Sequence, residues 1–195
     1  MEFTKSKTFN NLAKSFAGEC QARVRYEFIE YGARYNGYKA LAEVVDKIVY
    51  NEFNHARMFY TFMQQAKDRE ITNVEINAGY PFKEKWDLTD NFRIAAEDER
   101  REAEIVYPEF ARVAREEGFE EIAELYDNII QVETCHKMQF EQIYEQLKNG
   151  SLYKREQPVK WKCGDCGYEA TANEAWEECP LCKAKQGSVL LDLES

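Results

Sequence analysis

The chain has 195 residues, a formal net charge of −10 and 44% hydrophobic residues. This length suffices for one domain of ordinary size and a second small one. The acidic balance argues against nucleic acid and anionic membranes as partners, because both reward clustered lysine and arginine. No apolar run is long enough to predict a membrane span, and the N-terminal stretch MEFTKSKTFNNLAKSF predicts a helix start rather than a signal peptide. We therefore expect a cytoplasmic protein whose cysteines stay reduced.

Helical periodicity dominates residues 5–148, where apolar residues recur at three- and four-residue spacing. Four helices are predicted, at 5–35, 38–67, 90–116 and 119–148. Gly37 and Gly118 predict tight turns within two helical hairpins. The stretch 71–90 between the hairpins is too long for a tight turn, so it predicts the long crossover of a four-helix bundle.

Two local features mark the third predicted helix. Thr89 or Asp90 is the expected N-cap, since both side chains can accept a hydrogen bond from the first turn. Pro108 lies inside the helix and lacks a backbone N–H, so we expect a kink or a distortion there.

The composition changes after Gly150, where KREQPVKWKCGDCGY combines a proline, a tryptophan and a cysteine pair. A second domain is therefore predicted at 158–195. A linker at 150–157 would join it to the bundle domain at 1–149.

The two predicted hairpins resemble each other in sequence. GYKALAEV (37–44) matches GFEEIAEL (118–125), and the glutamate of a Glu-x-x-His follows 15 residues after the glycine in both copies. The two histidines of the chain both belong to these motifs. Such self-similarity indicates an internal duplication.

The duplication predicts a metal site inside the bundle. Residues three apart share a helix face, so each Glu-x-x-His points a carboxylate and an imidazole in one direction, and each remaining helix carries one further glutamate. This is the pattern of a two-metal carboxylate site. The predicted ligands are Glu19, Glu52, His55, Glu99, Glu133 and His136, with Glu102 as a second inward carboxylate on the third helix. A single Glu-x-x-His is also compatible with a solvated surface pair; the duplication and the upstream glutamates favour the metal site.

The C-terminal segment carries CGDCGY (163–168) and CPLC (179–182), two C-x-x-C pairs separated by 12 residues. Four thiolates from two such pairs predict a tetrahedral site for iron or zinc. Its ligands would be Cys163, Cys166, Cys179 and Cys182. A redox-active cysteine pair is the weaker alternative, and the spacing does not decide between zinc and iron.

A bundle with a duplicated Glu…Glu-x-x-His, followed by CGDCGY…CPLC, resembles the rubrerythrins over nearly the whole chain. The resemblance is most specific in AGECQARVRY (17–26) and EDERREAEIVYPEFARVAREEGF (97–119). It implies an all-α ferritin-like four-helix bundle with a long crossover, plus a small β-rich rubredoxin-like domain. It also implies a peroxidase that reduces hydrogen peroxide to water at a diiron centre, with electrons passing through one iron at the cysteines.

The resemblance extends to individual residues. It implies seven diiron ligands: Glu19, Glu52, His55, Glu99, Glu102, Glu133 and His136. Tyr26 and Tyr107 would hydrogen-bond near the site, with ordinary bundle packing as the alternative. Asp98 departs from the family, which usually has glycine there. Cys20 and Cys135 are also unusual so close to the ligands, and we expect inert side chains in the helix core.

The implied electron donor is a reductase or a rubredoxin that passes on electrons from NADH or NADPH. A head-to-tail homodimer is expected, because the fourth helix continues about 18 Å past His136 and carries the cysteine domain away from its own bundle site. Two other functions stay open: a ferritin-like iron oxidase or storage subunit, and a metal-binding or sensing protein with a zinc-ribbon module. The cysteine domain argues against storage, and iron at the cysteines would argue against sensing, since zinc carries no electrons.

Overall fold

A computed structural model describes residues 2–66, 73–81 and 87–193. After a short 3-10 turn at Phe3–Lys5, the helical part consists of α1 Lys7–Tyr35, α2 Lys39–Met63, α3 Leu88–Arg101, α4 Tyr107–Glu117 and α5 Glu120–Lys148. A π-helical segment at Glu102–Val106 joins α3 to α4 in one rod. The predicted ferritin-like four-helix bundle is confirmed. In the described ranges no helix is long and apolar enough to span a bilayer.

Two helical hairpins form the bundle. Helix α1 packs along α2, and the α3–α4 rod packs along α5. The turns end at Gly37 and Gly118, whose φ angles of 82° and 83° lie in the left-handed region. Glycine adopts this conformation without a steric penalty from Cβ, so both predicted turns are confirmed.

The third predicted helix starts earlier than expected. Its N-cap is Asp87, whose side chain accepts a 2.8 Å hydrogen bond from the backbone N–H of Asp90. The prediction of Thr89 or Asp90 as N-cap is therefore wrong. Leu88 packs against the core of the bundle. This contact favours a helix that begins at Leu88 rather than at residue 90. Much of the predicted crossover, and the predicted end of the second helix at residue 67, lie outside the described residues.

The expected distortion near Pro108 is confirmed as the π-helical segment. The Tyr107 backbone N–H donates to the carbonyl of Glu102, five residues back. Pro108 follows at the start of α4, where it has no N–H to continue the regular ladder. A π-bulge is frequent at functional sites, and this one begins at a predicted ligand.

A polar layer divides the interior of the bundle into two apolar clusters. One cluster contains Tyr26, Leu41 and Phe140. The other contains Leu12, Phe59 and Tyr126. Helices α1, α2 and α5 contribute to both clusters, whereas α3 contributes to the first and α4 to the second. The glutamates and histidines predicted as ligands lie between the two clusters along the chain. The apolar clusters supply the burial that holds this layer together.

The C-terminal part forms a small antiparallel sheet of β1 Lys154–Lys162 and β2 Glu169–Glu174. Trp161 is buried with Leu152, Tyr153 and Val189 in a separate apolar cluster. Strand β1 thus begins inside the predicted linker 150–157, because the two residues before it already pack in this cluster. The small β-rich unit carrying the four cysteines is confirmed.

This unit docks against the α1–α2 turn of its own chain. A Cβ on Gly187 would overlap the carbonyl oxygen of Gly37, so the two backbones are in direct contact. Lys39 forms an ion pair with Asp165, which lies inside the first C-x-x-C pair. The Tyr38 ring stacks on another ring of the C-terminal unit, with centroids 6.4 Å apart.

Candidate metal centre

Six predicted ligands meet in the polar layer of the bundle. None of them exposes more than 4% of its surface. They form two groups of four, and within each group the candidate ligand atoms lie within 4.8 Å of one another. The first group is Glu19, Glu52, His55 and Glu133, and the second is Glu52, Glu99, Glu133 and His136.

The first group centres on His55. Its Nδ1 lies 3.1 Å from Glu52 Oε2 and 2.9 Å from Glu133 Oε1. Glu19 Oε2 lies 3.9 Å from the same nitrogen. Three carboxylates and one imidazole therefore face a common point.

The second group repeats this arrangement around His136. Its Nδ1 lies 3.0 Å from Glu52 Oε1, 2.8 Å from Glu133 Oε2 and 3.9 Å from Glu99 Oε2. Glu52 and Glu133 thus offer one oxygen to each half of the site. This is the geometry of two bridging carboxylates between two cation positions, with one terminal carboxylate and one imidazole for each position.

The buried oxygens test whether metal ions fit here. Glu19 Oε2 and Glu99 Oε2 accept no hydrogen bond from the described residues, although both are buried. Burying a carboxylate without a partner is costly, and a bound cation would satisfy these oxygens. A mixed set of carboxylates and imidazoles suits iron, so the site suits a diiron centre.

The charged groups of the metal-free site shift one another's pKa values. Burial raises the pKa of Glu19 and of Glu99 well above the ordinary value, and neighbouring carboxylates raise both further. Burial acts in the same direction on Glu52, but the two imidazoles outweigh it and lower its pKa to about 2. Burial opposes the charged imidazoles, yet the carboxylates raise the pKa of His55 to about 9 and of His136 to about 10. Without metal, protons on the imidazoles replace cations.

Both predicted tyrosines contact terminal carboxylates. The Tyr26 hydroxyl donates a 2.5 Å hydrogen bond to Glu99 Oε1, and the Tyr107 hydroxyl donates to Glu19 Oε1. The prediction that they hydrogen-bond near the site is confirmed. Each tyrosine fixes one oxygen and leaves the other facing the cation position.

Glu102 lies outside both groups. It is half-buried at the first residue of the π-helical segment, and one of its carboxylate oxygens is near Gly18. Nearby Asp98 is ion-paired with Arg25 of α1, which explains how a charged residue fits where the family usually has glycine. Glu102 as a seventh ligand stays a prediction.

Asn51 is a site residue that the sequence motifs did not indicate. Its side-chain amide lies 3.1 Å from Nε2 of His136, while Nδ1 of that ring faces the carboxylates. With Nδ1 bound to a metal, the proton resides on Nε2, and the Asn51 amide oxygen can accept it after rotation of the amide by 180°. Such an outer partner orients a metal-binding imidazole.

The four cysteines form the second predicted centre. Their sulfurs all lie within 4.8 Å of one another, and the Cys163–Cys182 and Cys166–Cys179 pairs are each 3.7 Å apart. A tetrahedron with metal–sulfur bonds of about 2.3 Å has edges of about 3.8 Å. The cluster therefore suits the rubredoxin-like iron site.

The two remaining cysteines belong to neither centre. Cys135 is half-buried on α5, one residue before a site histidine, and Cys20 is exposed on α1. The expectation of a helix-core position is therefore wrong for Cys20. One residue of offset turns a side chain about 100° around the helix, which carries it from the metal face to the surface.

Comparison with known proteins assigns the chain to a family. The family model described as Rubrerythrin matches residues 10–144. The chain belongs to the rubrerythrin family. The model described as Rubrerythrin, rubredoxin-like domain matches residues 161–188. Membership of this family supports the interpretation of the chain as a diiron protein with a rubredoxin-like domain. It also implies that the protein is an oxidoreductase.

Curated relatives extend the match to most of the chain. A rubrerythrin of Clostridium perfringens (strain 13 / Type A) is 41% identical over 177 residues, which are 91% of this chain and 90% of the relative. A rubrerythrin of Porphyromonas gingivalis (strain ATCC BAA-308 / W83) is 35% identical over 181 residues, which are 93% of this chain and 88% of the relative.

Solved structures show the same fold. A nigerythrin structure in a mixed-valence state aligns with a TM-score of 0.62 and 22% identity, covering 98% of this chain and 94% of that one. A bacterioferritin from Desulfovibrio desulfuricans aligns with a TM-score of 0.61 and 24% identity, covering 74% of this chain and 82% of that one. The first alignment includes the C-terminal unit, whereas the second covers a length comparable to the bundle.

Proposed function

We propose that this protein is a peroxidase that reduces hydrogen peroxide to water at a diiron centre in the bundle. The observation that carries the proposal is the pair of half-sites that share the carboxylates of Glu52 and Glu133, with one oxygen of each carboxylate facing each half-site. The proposed ligands are the six clustered residues together with Glu102, and the four cysteines would hold one iron.

Cleavage of one peroxide O–O bond consumes two electrons and two protons and yields two water molecules. Two ferrous ions supply one electron each when they are bound. The residues of the chain hold the site in shape: Tyr26 and Tyr107 fix the outer oxygens of the terminal carboxylates. Glu102 lines an open cavity together with Tyr107, which contacts the site carboxylate Glu19. Its carboxyl group is therefore placed to pass protons inward.

Electrons would return through the cysteine site. This unit docks at the α1–α2 turn next to Lys39, and His55 lies 16 residues further along α2, or about 24 Å at 1.5 Å per residue. Electron transfer slows steeply with distance, so the cysteine site of a partner subunit is the better donor if it docks nearer. A head-to-tail homodimer remains our proposal for this reason. A monomer in solution with full peroxidase turnover would refute it.

The external donor would be a reductase that uses NADH or NADPH, directly or through a separate rubredoxin. An iron oxidase or storage protein is the second candidate, favoured by the ferritin-like fold shared with bacterioferritin. It leaves the four-cysteine site without a role. A sensing protein with zinc at the cysteines would hold both sites without electron transfer between them.

Peroxide-dependent NADH oxidation in the presence of a rubredoxin reductase tests the proposal. The variant Glu133→Ala removes one bridging carboxylate, and Glu141→Ala removes an exposed carboxylate from the same helix. We expect Glu133→Ala to lose iron from the bundle and nearly all turnover, while Glu141→Ala matches the unsubstituted protein. If Glu133→Ala reduces peroxide as fast as the unsubstituted protein, the assignment of peroxide reduction to the bundle site is refuted. Oxygen-dependent iron oxidation without peroxide turnover would favour the oxidase function.

A further inference from the structure

A cavity of about 410 Å³ lies between the crossover segment and the π-helical segment. Residues 77–80 form one wall, and residues 105–107 contribute to the other. Glu102 also lines it. Because the Tyr107 hydroxyl donates to the buried Glu19, the cavity reaches the outer edge of the polar layer. It therefore extends from the surface to a residue that contacts the proposed diiron centre.

Gly18 forms a narrow part of this cavity. A Cβ built on Gly18 would lie 3.7 Å from Glu102 Oε1 and 3.8 Å from Tyr80 Cε1. These are ordinary van der Waals distances, so a single methyl group just fills the gap. A larger side chain would close the space between the tyrosine ring and the carboxylate.

Tyr80 borders the opposite side of the gap. Its side chain is partly exposed, with 39% of the residue surface accessible. Its hydroxyl donates a 3.4 Å hydrogen bond to the carbonyl of Lys14. The ring thus stands where the crossover segment meets α1, at the border between solvent and the cavity interior.

Charged groups of both signs line the cavity. Lys14 and Arg101 contribute positive charge, whereas Asp98, Glu102 and Glu109 carry carboxyl groups. A lining with groups of both signs gives hydrogen-bond donors and acceptors without strong selection for an anion or a cation. This suits a small neutral polar molecule.

Two larger cavities do not reach the site carboxylates. One, of about 690 Å³, is lined by Ala13, Tyr60 and neighbouring residues. The other, of about 800 Å³, is lined by Arg23, Phe53 and neighbouring residues. The second lining includes Asn51, which contacts Nε2 of His136 on the side of the ring away from the carboxylates. Neither lining includes a carboxylate or an imidazole of the proposed diiron centre, so cavity size alone does not identify an entry route.

We propose that the 410 Å³ cavity is the entry route for peroxide, and that Gly18 and Tyr80 restrict it to hydrogen peroxide and peroxides of similar size. This inference rests on the proposed peroxidase function and adds a size limit on the substrate. Bulky organic hydroperoxides, such as cumene hydroperoxide, are excluded because the gap accommodates little more than a methyl group.

The variant Gly18→Val tests the route, and Gly32→Val is its matched control. Both glycines lie on α1, and a Cβ on Gly32 would also have its nearest neighbour at 3.7 Å, in this case Leu88 Cδ1. The first readout is the rate constant for azide binding to the oxidised, iron-loaded protein, followed by absorbance. The second is kcat/KM for hydrogen peroxide. We expect Gly18→Val to lower both by about tenfold or more, corresponding to roughly 1.4 kcal/mol of added barrier, while Gly32→Val lowers neither.

Tyr80→Ala tests the size limit from the opposite wall. We expect it to raise the ratio of kcat/KM for cumene hydroperoxide to kcat/KM for hydrogen peroxide by about tenfold. It should also accelerate azide binding, which tests the route if Gly18→Val does not retain iron. An unchanged ratio would overturn the size limit.

The azide and peroxide readouts separate the two proposals. If the unsubstituted protein consumes no peroxide but Gly18→Val still slows azide binding relative to Gly32→Val, the peroxidase function fails and the route stands. If the unsubstituted protein reduces peroxide and the two valine variants bind azide equally fast, the route is overturned and the peroxidase function stands.

Discussion

Replacement of Asn51 by alanine should weaken one half of the bundle site without removing a ligand. The amide lies 3.1 Å from Nε2 of His136, which is almost fully buried. Its loss leaves a buried ring N–H without a partner, at a cost of about 1–3 kcal/mol. That cost corresponds to roughly a 5- to 150-fold loss of metal affinity, which overlaps the 10- to 100-fold effect typical of such outer partners.

The assay is a competition titration of the metal-free protein with Co²⁺ or Zn²⁺ against a chelator of known affinity. Asn54→Ala is the matched control, because Asn54 lies on the same helix but donates to the backbone carbonyl of Tyr50 instead. We expect weaker binding of one of the two bundle ions in Asn51→Ala and no change in Asn54→Ala. Equal affinities for both ions in the two variants would refute the orienting role of Asn51.

Two further predictions concern docking and pH. Gly187→Ala should loosen the C-terminal unit, because the added methyl group overlaps the backbone of Gly37; hydrogen exchange in the α1–α2 turn should rise, and Gly32→Ala should show no such rise. The pKa values of His55 and His136 are raised to about 9 and 10 in the folded metal-free protein, above about 6.5 in the unfolded chain. Their contribution to stability is therefore complete below about pH 6.5 and is lost as the pH rises through 9 to 10. Thermal melts should show a fall in Tm over this range that is larger for the metal-free than for the metal-loaded protein; equal falls would contradict this account.

The residues that meet in the bundle were predictable where the pattern is local and repeated. Glu52 and His55 share a helix face at three-residue spacing, and the second hairpin repeats the pair. Helix geometry then determines that both pairs face inward once the apolar stripes are buried. The four cysteines were predictable for a similar reason, because two short C-x-x-C knuckles bring their thiolates together with little help from the remaining chain.

Contacts between segments far apart in the chain could not be predicted from the sequence. Asn51 reaches a histidine on another helix, and no spacing rule relates the two positions. The direct backbone contact of Gly37 with Gly187 depends on how the bundle and the C-terminal unit meet. Pro108 predicted a distortion, yet the position of Glu102 outside both ligand groups depends on the register of the π-helical segment, which a single missing N–H does not determine.

The central claim is that peroxide reduction in the bundle is linked to the iron at the cysteines. The most direct measurement is stopped-flow absorbance of the fully reduced, iron-loaded protein mixed anaerobically with hydrogen peroxide. We predict that the visible thiolate-to-iron absorption of the cysteine site, bleached by reduction, returns rapidly as peroxide is consumed. A cysteine site that stays bleached while peroxide persists, in protein shown by metal analysis to hold iron at both centres, would contradict this account.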